Sequence, residues 1–490
     1  MTKVPTRTPI PASDLEPSLV FGRTYITRRR LTRIDAAALL GLMMILISVI
    51  PFNLIVPGMT DLGRPGLVVG MLLFCWWVLA RFTTHLSMTG RQPIRWAVLA
   101  FMTAALLSYA AGFLRSLTGI EANSADRTML SFCILSGIIL TAADGIPNWV
   151  RLYGVVKVVV ASATFVAALA LIEYLSSVAL AQYITIPGLQ AKDDAAGLEA
   201  RGAGIRVAST TTHYIELAAF LALALPFAIH VARFGSLRSR RWGMVAALVI
   251  AGGIGASISR TGVLAVVLMF LVLVPVWTWR ARYNILCTTL ALFAVMAAAS
   301  PGIVKTLLHL FDDPSNNPAF TVRAARYPLV WGYFAEHPWL GRGTGTYISP
   351  QYQVLDNQWL GTLVSNGAIG VATLLALNLT GIILAFQALR RSTTPADRHL
   401  CAVLISTQVV AIAVSGTFDA LSYSTYTTLF ALSLGMCGAV WRLTHPMRTV
   451  RTSTTHWYLE GDAAADGVAP SKAPAGSAAI GREVMKVGTD

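Results

Sequence analysis

Charge is the scarcest property of this sequence. Asp, Glu, Lys and Arg make up 12% of its 490 residues while 55% are hydrophobic, and the mean hydropathy is +0.63. Soluble domains carry about 25% charge, so water is not the main solvent of this chain. Cysteine is also sparse. Cys75, Cys133, Cys287, Cys401 and Cys437 fall inside or at the edge of apolar runs, where a thiol packs as a small apolar group, and their placement implies neither a disulfide framework nor a metal site. No small-residue cleavage site follows the first apolar run, and about thirty residues of basic character precede it, so it reads as a retained span rather than a secretory leader. No short-period internal repeat is present.

What the sequence has instead is a succession of apolar runs bounded by Arg, Pro or Gly. They lie near 36–56, 65–82, 93–113, 126–144, 152–175, 212–231, 242–258, 262–279, 284–301, 362–389, 398–417 and 421–442. Lipid offers no hydrogen-bond partner to the backbone, so runs of about twenty apolar residues become helices. The expected fold class is an all-α membrane protein, a polytopic bundle of about twelve transmembrane helices. A large extracytoplasmic loop, 302–361, joins spans nine and ten and is expected to contain short interfacial helices.

A formal net charge of +15 raises the question of nucleic acid, and the distribution of the charge answers it. Arg28, Arg29, Arg30 and Arg33 precede the first run; Arg81, Arg91 and Arg95, then Arg233, Arg238, Arg240 and Arg241, then Arg280, Arg282, Arg390, Arg391 and Arg398 fill alternate gaps. With the N-terminus inside, roughly two-thirds of all Lys and Arg are cytoplasmic, as the positive-inside rule expects. The charge is topology, and no nucleic-acid site is expected. The organisation is then a basic cytoplasmic tail over 1–33, a membrane domain over 34–443, and a cytoplasmic tail over 444–490 with too few large apolar residues to build a core. Both termini lie inside, and the expected location is the cytoplasmic membrane.

Two outer gaps, 176–211 and 302–361, are longer than the rest and contain no run able to span. In the second, Val304 to Phe311 and Thr321 to Phe334 alternate at helical spacing, with Thr321 as a candidate N-cap and Trp331 and Phe334 on the apolar side. Arg323 and Arg326 stand three apart, so on a helix they share a face, either to grip a diphosphate or to meet lipid headgroups. The turn Gly341-Arg342-Gly343-Thr344-Gly345 brings Gly343 and Gly345 to a place where backbone N–H groups can approach an anion, although most such turns are only turns. Arg260, in the tight link Ser257 to Gly262, and Arg206, closing the first outer gap, sit at the depth of a lipid headgroup; snorkelling is the bland reading of each. Candidate acid–base groups on this side are Asp356, Glu336, His337, His213 and Asp419, with His337 before Pro338 suited to a turn. Glu173 and Glu216, inside spans, are expected to face a cavity or to pair with the arginines just named.

Three segments carry a resemblance: SISRTGVLAVVL at 257–268, RAARYPLVWGYFAEHPWLGRGTG at 323–345, and DNQWLGTLVSNGAIG at 356–370. In that order and spacing the chain resembles the O-antigen ligase and polysaccharide polymerase superfamily, the Wzy and WaaL type, most clearly over roughly 245–375, with a related core of about 206–375. The resemblance implies inverting, metal-independent glycosyl transfer outside the cytoplasmic membrane, in surface or exopolysaccharide biosynthesis. The donor would be a polyprenyl-diphosphate-linked oligosaccharide, the acceptor a glycan hydroxyl, and no cofactor is needed. Arg206, Arg260, Arg323 and Arg326 would hold the diphosphate. Asn357, Gly343 and Gly345 would shape the loop, and Asp356, with His337 and Glu336, would serve the acid–base step. Ligases of this family resemble each other in a His before the Asn of the last segment; Asp356-Asn357 here is more similar to the polymerase branch. Membrane lipids are expected neighbours, and a flippase and a chain-length regulator are partners by the same resemblance.

Two rival readings remain. A twelve-span secondary transporter would carry broken helices and charged residues near the bilayer midplane, whereas the polar groups here gather at the outer ends. A polytopic polymerase of the cell-wall elongation type would use similar donors with different motifs.

Overall fold

The computed structural model describes residues 35–82, 92–192, 199–201, 204–299, 325–348 and 351–445. The tails, Arg323, Thr321 and the expected helix over 304–311 therefore lie outside the described residues. Thirteen α-helices are present among those described: α1 Ala36–Val49, α2 Pro65–Ala80, α3 Pro93–Gly112, α4 Gly119–Gly145, α5 Trp149–Ser176, α6 Tyr214–Phe234, α7 Leu237–Ala256, α8 Arg260–Leu273, α9 Trp279–Ala299, α10 Arg326–Glu336, α11 Gln358–Arg391, α12 Pro395–Val414 and α13 Ser424–Thr444. Each of the twelve apolar runs falls on one of these helices, and α10 is the additional short one. Among the described residues strand is confined to two small antiparallel pairs, β1 Leu54–Ile55 with β2 Gln190–Ala191 and β3 Glu199–Arg201 with β4 Gly204–Arg206.

Six helices, α3, α4, α5, α6, α11 and α12, are long and apolar enough to cross a membrane, and shorter apolar helices occupy Ala36–Val49, Pro65–Arg81 and Arg260–Val276. The chain is a multi-pass, all-α membrane protein. Local chemistry sets the helix starts. Thr118 and Glu121 form a reciprocal capping box on α4, Asn148 Oδ1 accepts the Arg151 N–H at 2.9 Å, and Pro65, Pro93 and Pro395 occupy first-turn positions where no N–H is needed. Helices α6 and α13 form the centre. Phe220 and Phe227 on α6 and Tyr426 on α13 are among the largest fully buried side chains.

The bundle has two chemically different ends. At one, Asp144 of α4 accepts hydrogen bonds from Arg81, Arg95 and Trp77, with Arg95 Nη2 at 2.9 Å. Arg151 pairs with Asp35, Arg442 donates to the carbonyls of Ala143 and Ile146, and Tyr153 donates to Asp397 at 2.8 Å. This end also carries the arginine-rich links between α6 and α7, α8 and α9, and α11 and α12. The opposite end, called the loop end below, carries the segments 177–213, 325–357 and 415–423.

Candidate functional site

At the loop end, four helix starts and the link between α12 and α13 converge. Strand β4 delivers Arg206, which is only 4% exposed. Its guanidinium lies over the Tyr214 ring at 4.1 Å and meets Glu199 Oε1 at 3.3 Å. Its Nε is buried and finds no hydrogen-bond partner among the described residues. His213 caps α6, its Nδ1 accepting the Ile215 N–H at 3.2 Å. It lies within electrostatic reach of Glu199, Glu216 and Asp356, although burial dominates and pulls its pKa below the usual value. Tyr423, 6.1 Å from His213 ring to ring, senses Asp356 and Asp419 as well, and burial raises its phenol pKa.

The second half of the site is built around Asp356. Arg326, the first residue of α10, donates from Nη1 to Asp356 Oδ2 at 2.8 Å and to the Leu355 carbonyl at 3.0 Å. Asn357 caps α11, its Oδ1 accepting the N–H groups of Trp359 and Leu360, while its own N–H goes to Asp419 Oδ1 at 3.0 Å. The two carboxylates are thus neighbours across one peptide unit. Burial, with the nearby charge of Asp356 adding to it, raises the Asp419 carboxyl above the usual range against the pull of the Asn357 N–H and Arg326. Arg260 opens α8, and the next residue, Thr261, meets Thr417 of the same link with the two hydroxyl oxygens 3.0 Å apart. Two non-glycine residues here hold left-handed backbone, Ile258 at φ 45° and Asp356 at φ 49°. Such conformations cost of order 1–3 kcal/mol each and persist only where the surroundings enforce them.

The expected residues therefore separate into groups. Arg206, Arg260, Arg326, Asp356, Asn357, His213 and Asp419 are gathered at this end. Arg323 lies outside the described residues. Glu336 and His337 are exposed at the C-terminal end of α10, where the His337 N–H closes the helix on the Tyr333 carbonyl. The expected pairing of Glu173 and Glu216 with the named arginines is corrected: Glu173 accepts the N–H groups of Ala181 and Ser209, and Glu216 those of Thr212, Thr425 and Tyr426. Arg64, held by Ser424, Thr425 and the Ile47 carbonyl, lies within electrostatic reach of Glu216.

The glycine-rich turn interlocks with α11. That helix is broken at Gly367, φ 64° and ψ −166°. The carbonyls of Val364 and Ser365, released by the break, accept the N–H groups of Arg342 and Gly343, and the Ala368 and Ile369 N–H groups reach the Pro338 and Trp339 carbonyls. The N–H groups of Arg342 and Gly343 are consumed by protein, which favours a docking role over an anion nest. A Cβ on Gly343 would stand 2.6 Å from the Gly112 Cα, and one on Gly345 would stand 2.4 Å from Thr128 Oγ1. Arg342 was not anticipated. Its guanidinium lies 4.5 Å from the centre of the Tyr333 ring and donates to the Tyr352 hydroxyl, which in turn donates to Glu121. Its own sequence signal was only its place between two glycines.

No curated protein matches the chain. Residues 245–375 match a family model described as O-antigen ligase, a segment that begins in α7 and ends in α11 and so contains Arg260, Arg326, Asp356 and the interlocked turn. Over that segment the chain is similar to the O-antigen ligase family, which supports the resemblance that the three sequence segments carry.

Proposed function

We propose that this protein is a membrane-embedded glycosyltransferase working on the extracytoplasmic face, transferring a glycan from a polyprenyl-diphosphate-linked donor to an acceptor hydroxyl. Arg206, Arg260 and Arg326, with Arg323 from the same loop, hold the diphosphate leaving group. Negative charge grows there in the transition state, and guanidinium groups in a partly dry site take the part a metal ion plays in other enzymes. Asp356 removes the proton of the attacking hydroxyl, which then displaces the diphosphate with inversion; Glu336 and His337, being exposed, would enter only with the acceptor bound. The observation that carries this reading is the Arg326–Asp356 ion pair, one residue from the hydrogen bond to the Asp419 carboxylate, at the end of the bundle that also holds the buried Arg206 guanidinium.

Polymerisation is favoured over ligation because an Asp stands before Asn357. A transporter reading is weakened by the broken helix: in transporters such a break presents backbone groups to substrate, whereas the groups freed in α11 are filled by residues 338–343. Deleting the gene in its host and analysing lipid-linked and surface glycans tests the proposal. Accumulated single repeat units on polyprenyl diphosphate indicate a polymerase, and long lipid-linked polymer lacking its final acceptor indicates a ligase. An unchanged glycan profile overturns the proposal.

A further inference from the structure

The outer ends of α3, α4 and α11 enclose a cavity of about 480 Å³ whose lining includes neither Arg206 nor Arg326. Gln358 and Asp419 line it. Gln358 is held in place, its Oε1 accepting the Leu421 N–H at 2.8 Å and its Nε2 donating to Thr362 Oγ1 at 3.0 Å. Asp419 joins the cavity to the arginine site, because its Oδ1 holds the N–H of Asn357, the residue after Asp356. The Asp419 carboxylate thus belongs to both the cavity lining and the carboxylate pair.

The chemistry of the chamber differs from that of the arginine cluster. Hydroxyl and amide side chains at Ser124, Thr373, Gln353 and Asn366 share its lining with the Phe132 and Tyr347 rings, a mixture that suits the alternating hydroxyl and C–H surfaces of a sugar. Its lining holds one cation, Arg127, which lies 3.9 Å from Asp61, and a second carboxylate, Asp419, so the lining lacks the excess positive charge that a diphosphate requires. Its volume falls within the range of about 300–1,000 Å³ common to small-ligand sites. Resting on the proposed function, we infer that this chamber is the subsite for the uncharged, hydroxyl-rich end of the acceptor glycan. Donor and acceptor then meet at the carboxylate pair, to which Asp419 ties the chamber.

The test uses full-length protein in lipid nanodiscs and two probes. One is the polyprenyl-diphosphate glycan extracted from the host, and the other is the oligosaccharide released from it by mild acid. Thr373→Trp fills the chamber; Gln353→Ala removes one polar contact without adding bulk and guards against misfolding of the larger variant. Saturation-transfer NMR is expected to show oligosaccharide binding weakened at least tenfold by Thr373→Trp and several-fold by Gln353→Ala. Native mass spectrometry is expected to show intact lipid-linked glycan still bound to both, and Arg206→Ala to reverse the pattern. Undiminished oligosaccharide binding in both chamber variants overturns the inference, as does loss of the lipid-linked glycan instead. Wild-type protein that binds lipid-linked glycan but no oligosaccharide overturns the inference alone; wild-type protein that binds neither takes the proposed function down with it.

Discussion

Asp356 holds left-handed backbone and a charge partner at once. Asp and Asn tolerate φ near +50° better than other side chains, so Asp356→Asn is expected to keep the fold and the Arg326 hydrogen bond while removing the negative charge. If Asp356 is the base, glycan elongation in membranes falls between about a hundred- and ten-thousand-fold with protein abundance unchanged; near-normal turnover removes it from that role. Asp419 makes a separate prediction about stability. Its carboxyl pKa is raised from the usual 3.8 by burial, so the folded state favours the protonated form. The stabilising contribution is complete below pH 3.8 and is lost as pH rises through the folded value. Asn keeps an oxygen for the Asn357 N–H and never ionises. Asp419→Asn is therefore expected to match wild type in thermal unfolding near pH 3.5 and to melt higher at pH 7, and a variant that melts lower at pH 7 would show that the charge is better paired than its burial implies. Both residues stood out as acids on the outer side, and Arg326 and Asn357 stood out as well, but which residue pairs with which did not. Asp356 and Arg326 are thirty positions apart, and nothing in local spacing encodes a contact across a loop.

The elements repeat that division. Twelve apolar runs were readable as helices because a helix satisfies its own backbone and length and composition define it, although among the described residues six of those helices are long and apolar enough to cross a membrane. The break in α11 was not readable, since Gly367 inside SNGAIG is indistinguishable from a helix-packing glycine until φ is known. Its consequence is an interlock between two segments that share the family resemblance: 338–343 fills the break, and the break fixes 338–343. A Cβ at Gly367 would stand 2.4 Å from the Trp339 carbonyl oxygen, in backbone that side chains rarely adopt. Gly367→Ala is expected to destabilise the protein by more than the roughly 1–3 kcal/mol of backbone strain alone, and to unseat α10 and with it Arg326. Limited proteolysis of the 325–357 segment should accelerate before global melting falls. Simultaneous loss of both would mean that the interlock is part of the global folding unit rather than a local clasp.

At the scale of the whole molecule, the two ends differ in what their charges do. Arginines at the basic end are tied to Asp144, Asp35 and helix-terminal carbonyls and fill the short links, as anchors at a membrane surface do. At the loop end Arg326 pairs with Asp356 of the carboxylate pair, and Arg206 lies buried beside Glu199 and Tyr214. If the short-link arginines face the cytoplasm, the site is necessarily outside, because α11 runs from Asn357 at one end to Arg390 and Arg391 at the other. A cysteine-free background with single reporters at Gln351 and Thr393, exposed positions beyond opposite ends of α11, tests this directly. An impermeant thiol reagent applied to intact cells is expected to label Gln351→Cys at once and Thr393→Cys only after permeabilisation. The reverse pattern would put Arg206 and Asp356 in the cytoplasm, where an extracytoplasmic glycan donor never arrives, and the proposed reaction would fail on topology alone.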